Sequence, residues 1–154
     1  MTCTFDDRFR ADLCGLGYPG FAHIAPYTVP PRPDSFLFEV LAQPDFDARV
    51  AEGLPWLVHH WADRMDLVWL VEQARQLHVE NRVGYLLEAS GSRLPAVLDA
   101  IRELRRLPST HEVTLGWDSM PRAAREWMRI NRTAMARRWN MVTRLENEAA
   151  DRAA

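Results

Sequence analysis

Residues 52–89 constrain the fold of this chain more than any other stretch. Three of the six tryptophans lie here, and apolar residues recur at three- and four-residue intervals throughout. This spacing places the apolar side chains on one face of an α-helix. Short helices with one bulky apolar face bury it by packing on each other. The stretch therefore predicts an all-α fold.

The neighbouring sequence extends this helical pattern in both directions. Asp34-Ser35, Asp45 or Asp47, and Asp66 precede apolar stripes and are good helix N-caps. Further helices are predicted over 80–89 and 94–107. The predicted inward residues include Leu77, Val83, Leu94, Leu98 and Trp127. Gly84 is expected to let a neighbouring backbone approach closely.

The last predicted helix begins at Asp118 and Ser119, with Pro121 in its first turn. Residues 131–133 would divide it in two, with Thr133 as a second cap. The segment before it, 111–117, is strand-like. One short segment without a pairing partner cannot form a sheet, so an extended connector is predicted.

The chain of 154 residues, 47% of them hydrophobic, is typical of one globular domain. Residues 1–33 contain five of the ten prolines and several glycines, which predicts an irregular arm around a short helical turn at Phe5–Cys14. Its apolar side chains predict that the arm lies on the helical body or on a partner. The helical domain is predicted over 34–147, and a frayed tail over 148–154. About six to seven helices result, as a compact bundle or a short α-solenoid, because two helical units share a weak likeness.

Composition narrows the possible environments and partners. The net charge is −2, so no overall field favours nucleic acid or anionic lipid. No apolar run approaches the roughly 18 residues of a membrane span, and the first residues do not resemble a signal peptide. Cys3 and Cys14 are therefore expected to be reduced thiols in a cytoplasmic protein.

No residue pattern indicates catalysis, a cofactor or a metal. His59 and Asp63 share a helical face but lack a third ligand. Cys14 has only His23 as a nearby base in the sequence, and phosphate-binding glycine loops and hydrolase motifs are absent from it. We expect a protein that is not an enzyme.

Arginine accounts for all 19 basic residues and is concentrated near the C-terminus. Seven arginines and one acid, Glu126, lie between positions 121 and 144. The first four candidate contact residues are spaced by three, four and three positions, which places them on one helical face, and the fifth follows them in the sequence. The five residues are Arg122, Arg125, Arg129, Arg132 and Arg137. Such a face suits phosphates, an acidic protein surface, or acids of its own domain.

Several short strings resemble a helical module of bacterial helix-turn-helix and antitoxin-type regulators. The strings are Glu52–Leu57, Asp66–Val71 with Ala74, Asn81–Leu86, and more weakly Ser119–Pro121, Glu126–Met128 and Arg138–Asn140. The likeness covers about residues 33–145. It implies the C-terminal partner-binding module of such regulators, without their DNA-binding domain.

Together these features predict a non-catalytic, antitoxin-like or regulatory module that binds a partner protein through aromatic and arginine side chains. The alternative is a nucleic-acid-associated helical subunit that uses the basic face of residues 121–144. A homo-oligomer is compatible with either function.

Overall fold

The regular structure consists of eight α-helices, two 3-10 turns and one small sheet, in a computed structural model that describes residues 4–24 and 29–143. The helices are α1 (Phe5–Gly15), α2 (Pro33–Leu41), α3 (Ala48–Trp61), α4 (Leu67–Gln76), α5 (Glu80–Ala89), α6 (Pro95–Arg106), α7 (Arg122–Ile130) and α8 (Ala134–Arg138). The 3-10 turns are Pro19–Phe21 and Ala62–Arg64. The strands are β1 (Val113–Thr114) and β2 (Met141–Val142). The predicted all-α fold is confirmed.

The first six helices form the body of the molecule, in which each helix packs on the helix after next. Contacts join α1 to α3, α2 to α4, α3 to α5 and α4 to α6. Helix α5 lies at the centre, because every one of its residues except Glu88 is buried. It also contacts α6 and both strands. The predicted Glu80–Ala89 helix therefore lies at the centre of the core.

Among the N-caps predicted for the first six helices, two are confirmed and one is wrong. Asp47 and Asp66 cap α3 and α4 by accepting hydrogen bonds from backbone amides of the first turn. Asp34 does not cap α2, because Pro33 begins that helix. Asp34 lies inside the first turn, fully buried, and accepts a 2.8 Å hydrogen bond from the backbone amide of Asp66. It therefore ties α2 to α4.

The N-terminal segment belongs to the same core as the helical body. Helix α1 covers the predicted Phe5–Cys14 segment and one further residue, and a capping box between Thr4 and Asp7 begins it. Phe9 is fully buried and packs edge-on against Phe36, with ring centroids 5.9 Å apart. Trp61 donates a 2.9 Å hydrogen bond from its indole to the carbonyl of Leu16. The described part of the segment thus lies on the body, which is one of the two predicted alternatives. Cys3 and the predicted tail lie outside the described residues.

Two residues of the predicted extended connector 111–117 form a strand, β1, with a pairing partner that the sequence did not indicate. β1 pairs in parallel with β2, so that Val113 lies opposite Met141. Apolar spacing predicts its partner segment as helix, but α8 ends at Arg138 and Asn140 adopts a positive φ of 47°. This left-handed residue turns the chain out of the helix and into β2. Pairing therefore depends on a residue conformation that local apolar spacing does not indicate.

Other differences concern where side chains face. The sequence predicts four side chains inward that are exposed: Leu77 by 52%, Leu94 by 40%, Leu98 by 40% and Trp127 by 64%. Gly84 does allow a close approach, but by the indole of Trp139 rather than a backbone. The start predicted for the last helix is also wrong, since α7 begins only after Pro121. Among the described residues, no helix has both the length and the apolar character needed to cross a bilayer.

Candidate contact surface on the C-terminal helices

Helix α7 brings three of the five predicted contact arginines together. Arg122, Arg125 and Arg129 lie on it, spaced so that they share one side. Arg132 follows the end of α7, and Arg137 lies on α8. The predicted division is confirmed, because the hydroxyl of Thr133 caps α8 by accepting from the amide of Ala136. A single helical face with four arginines is therefore not formed.

Glu112 holds two of these arginines from the segment before β1. Arg129 donates to both of its carboxylate oxygens, at 2.6 and 2.9 Å, and Arg125 donates to one at 3.2 Å. These contacts, the hydrogen bonds from Arg129 first, lower the pKa of Glu112 to about 2. The intramolecular pairing considered for the arginines thus occurs at Arg125 and Arg129. Sequence reasoning missed Glu112, because it lies 13 and 17 residues from these partners.

The remaining predicted arginines have different surroundings. Arg122 pairs along the helix with Glu126 at 3.2 Å, and its side chain is 92% exposed. Arg132 donates to the side-chain oxygen of Asn140 at 3.2 Å. Arg137 is exposed and has no ion-pair partner among the described residues. Arg122 and Arg137 are therefore the two most available charges of the set.

Helix α7 also exposes a pair of large apolar side chains. Trp127 is 64% exposed and Ile130 is 75% exposed. Their three-residue spacing places them side by side, and Ala123 lies one turn before Trp127. Met128 lies on the opposite side, buried in a small cluster with Met120 and Val142. The sequence contains a signal for this exposure. Trp127 and Met128 are adjacent in α7 and therefore point 100° apart, so that both cannot face a narrow core.

We define the outer face of α7 as Ala123, Trp127 and Ile130, together with Arg122 and Arg129 along one border. This face lies in a positive region. Residues 120–140 contain six arginines and one acid. Glu88 and Glu112 supply two further carboxylates, to Arg138 and to the Arg125–Arg129 pair. Three positive charges remain uncompensated by these partners, in a chain whose net charge is −2. The region is therefore both apolar and basic.

The residues considered for metal binding or nucleophilic chemistry lie elsewhere and make structural contacts. A ring nitrogen of His59 lies 3.2 Å from the carbonyl oxygen of Ser90, and His60 stacks on Trp56 with centroids 4.7 Å apart. The thiol of Cys14 lies 3.0 Å from the carbonyl oxygen of Ile24. Within residues 4–24 and 29–143, no three His, Cys, Asp or Glu side chains converge as metal ligands would.

Comparisons of the chain with protein-family models, with curated proteins and with solved structures find no significant match. The resemblance to regulators of the antitoxin type therefore stays a prediction from short strings.

Proposed function

We propose that this chain is a non-catalytic interaction module, antitoxin-like or regulatory, that binds a partner protein through the outer face of α7. The observation that carries the proposal is the exposure of Trp127 and Ile130 side by side on one helix. Large exposed apolar side chains bordered by charges are typical of protein contact sites. Tryptophan and arginine also dominate the residues that contribute most to protein binding.

The packing beneath this face holds α7 in a fixed orientation, which favours a role for its outer side chains in binding. Met128, Met120 and Val142 anchor the inner side of α7, and Glu112 anchors its arginine side. A helix fixed on two sides holds its outer side chains in place before a partner arrives. Such preorganisation reduces the entropy lost on binding.

A nucleic-acid partner remains the second candidate, because three positive charges are left over in residues 120–140. Two arginines of that region already hold the carboxylate of Glu112. A phosphate would have to compete with this carboxylate for the same guanidinium donors. Phosphate oxygens would also leave the Trp127–Ile130 pair uncovered, so a protein surface fits better.

The test is co-expression of the full chain with the products of the adjacent genes, followed by size-exclusion chromatography with light scattering. We expect one of them to form a stable complex of defined stoichiometry with the wild-type chain. A wild-type chain that elutes alone with every neighbour would contradict the proposal. Retention on duplex DNA or RNA that weakens steeply with salt would support the second candidate instead.

A further inference from the structure

We infer that the partner segment seated on the outer face of α7 is an acidic amphipathic helix. The inference rests on the proposed function and adds the chemistry of the partner. Ala123, Trp127 and Ile130 recur at intervals of four and three residues, which is the spacing of a contact stripe between helices. Seven helical steps span about 10 Å, so the stripe matches roughly two turns of an opposing helix.

The charges beside the stripe determine which kind of helix fits. Arg122 and Arg129 both lie along one border of the stripe, with side chains 92% and 42% exposed, and Glu126 lies on the same border. Glu126 is the only acid on α7. A partner helix with apolar residues on one side and carboxylates beside them would cover Trp127 and pair with Arg122, whose present partner Glu126 is itself exposed, while Arg129 stays held by Glu112. Arginine forks bind carboxylates in a bidentate geometry, which adds orientation to the contact.

The same charges disfavour a second copy of this chain as the occupant. A two-fold contact between outer faces would bring two regions with excess positive charge together. Like charges across an interface oppose association. An acidic helix removes this repulsion and gains attraction from the same residues.

The experiment measures binding of labelled synthetic helical peptides to the full chain by fluorescence anisotropy. The first peptide carries leucines at i, i+3, i+4 and i+7 with glutamates on both borders. The second replaces these glutamates with lysines, and the third replaces the leucines with glutamines. We expect the first peptide to bind at least tenfold more tightly than either of the others.

Matched variants locate the binding site. Trp127→Ala and Ile130→Ser should each weaken binding of the first peptide at least fivefold. Val68→Ser should leave it unchanged, because Val68 is an equally exposed apolar residue on α4, at 81%. Arg122→Glu should shift the preference toward the lysine peptide. The exposure of all four positions predicts unaltered thermal unfolding, which circular dichroism checks.

Equal binding of the glutamate and lysine peptides would overturn the inference, as would equal binding by the Trp127→Ala and wild-type chains. Tighter binding of a single-stranded oligonucleotide would assign the face to nucleic acid, and a concentration-dependent dimer abolished by Trp127→Ala would assign it to a second copy. A co-expressed complex that needs Trp127, together with no acidic-peptide binding, would refute this partner chemistry and leave the proposed function standing. Failure of both experiments would refute both.

Discussion

At the scale of single residues, the contact between Gly84 and Trp139 shows how one missing side chain shapes the packing. A Cβ added at Gly84 would lie 2.3 Å from the indole ring, well inside van der Waals contact. An alanine in an ordinary helix interior stabilises by about 1 kcal/mol relative to glycine. Here we expect Gly84→Ala to destabilise by about 1–3 kcal/mol through overpacking, measured by urea denaturation.

The Trp139→Phe background provides the control for this prediction. A phenyl ring occupies less space above position 84, so Gly84→Ala should cost less there than in the wild-type chain. The double-mutant cycle would report this coupling directly. A stabilising effect of Gly84→Ala in the wild-type chain would contradict the close approach.

Glu112 makes a second residue-scale prediction, one of pH dependence. Its pKa falls from the ordinary value of 4.5 to about 2, because Arg129 and Arg125 stabilise the carboxylate. A carboxyl with a lowered pKa stabilises the fold above its unfolded pKa and loses this contribution as pH falls through the folded value. Glu112→Gln should therefore lower the free energy of unfolding at pH 7 by about 1 kcal/mol, and this difference from wild type should shrink between pH 4.5 and pH 2.

Glu103→Gln on α6 is the matched control, since Glu103 pairs with arginines at a more exposed position. Exposed ion pairs contribute little, so its effect should be small at every pH. Chemical denaturation across this pH range measures both variants. A pH-independent difference between Glu112→Gln and wild type would show that the carboxylate is not held as described.

At the scale of elements, helix α1 is the sharpest test of the packing. It contributes Phe9 and Leu13, both fully buried, to the core. We expect Phe9→Ala to destabilise the whole protein by about 3–5 kcal/mol. We also expect the amides of α1 to exchange with solvent as slowly as those of α3. Rapid hydrogen exchange in α1 beside a protected α3 would contradict this account.

Some helix starts could be predicted from local sequence signals, although proline displaced the starts predicted at Asp34 and Asp118. Asp47 and Asp66 cap helices because the cap residue and the amides that it accepts from are neighbours in the chain. The β1–β2 pairing joins segments that are distant in sequence and depends on the left-handed conformation of Asn140. The apolar character of Trp127 predicts an inward position, but Met128 already occupies the buried side of α7 and Trp127 faces outward.

At the scale of the whole molecule, Arg82 joins the helical body to the C-terminal segment. Its buried guanidinium donates at 2.8 Å to the carbonyls of Leu41 and Gln43, and at 2.9 Å to the carboxylate of Asp118. Arg82→Met would leave these acceptors without their donor. We expect a loss of about 3 kcal/mol, with residues 113–142 losing structure before the body.

Urea denaturation followed by two probes, far-ultraviolet circular dichroism and hydrogen exchange of β1 and α7, measures this uncoupling. The wild-type transitions should coincide, and those of Arg82→Met should separate. Arg82→Lys retains the charge but not the fork of donors, so an intermediate effect is expected. Coincident transitions in Arg82→Met would show that Arg82 does not couple the two parts.

The helical class of the molecule could be predicted because apolar residues recur at helical spacing in successive segments of residues 34–107. The candidate contact surface could be predicted only as a set of arginines. Glu112, which neutralises part of that set, reaches it through tertiary structure. The excess of arginine is visible in the sequence. That Trp127 and Ile130 are exposed beside these arginines becomes clear only from the orientation of α7 on the body.

The central claim, that the outer face of α7 binds a partner protein, is tested by one ratio of dissociation constants. Once the partner is purified, its Kd is measured for Trp127→Ala and for Val68→Ser by isothermal titration calorimetry. We predict at least a tenfold weaker Kd for Trp127→Ala, about 1.4 kcal/mol, and less than a twofold change for Val68→Ser. Equal Kd values for the two variants would contradict the claim.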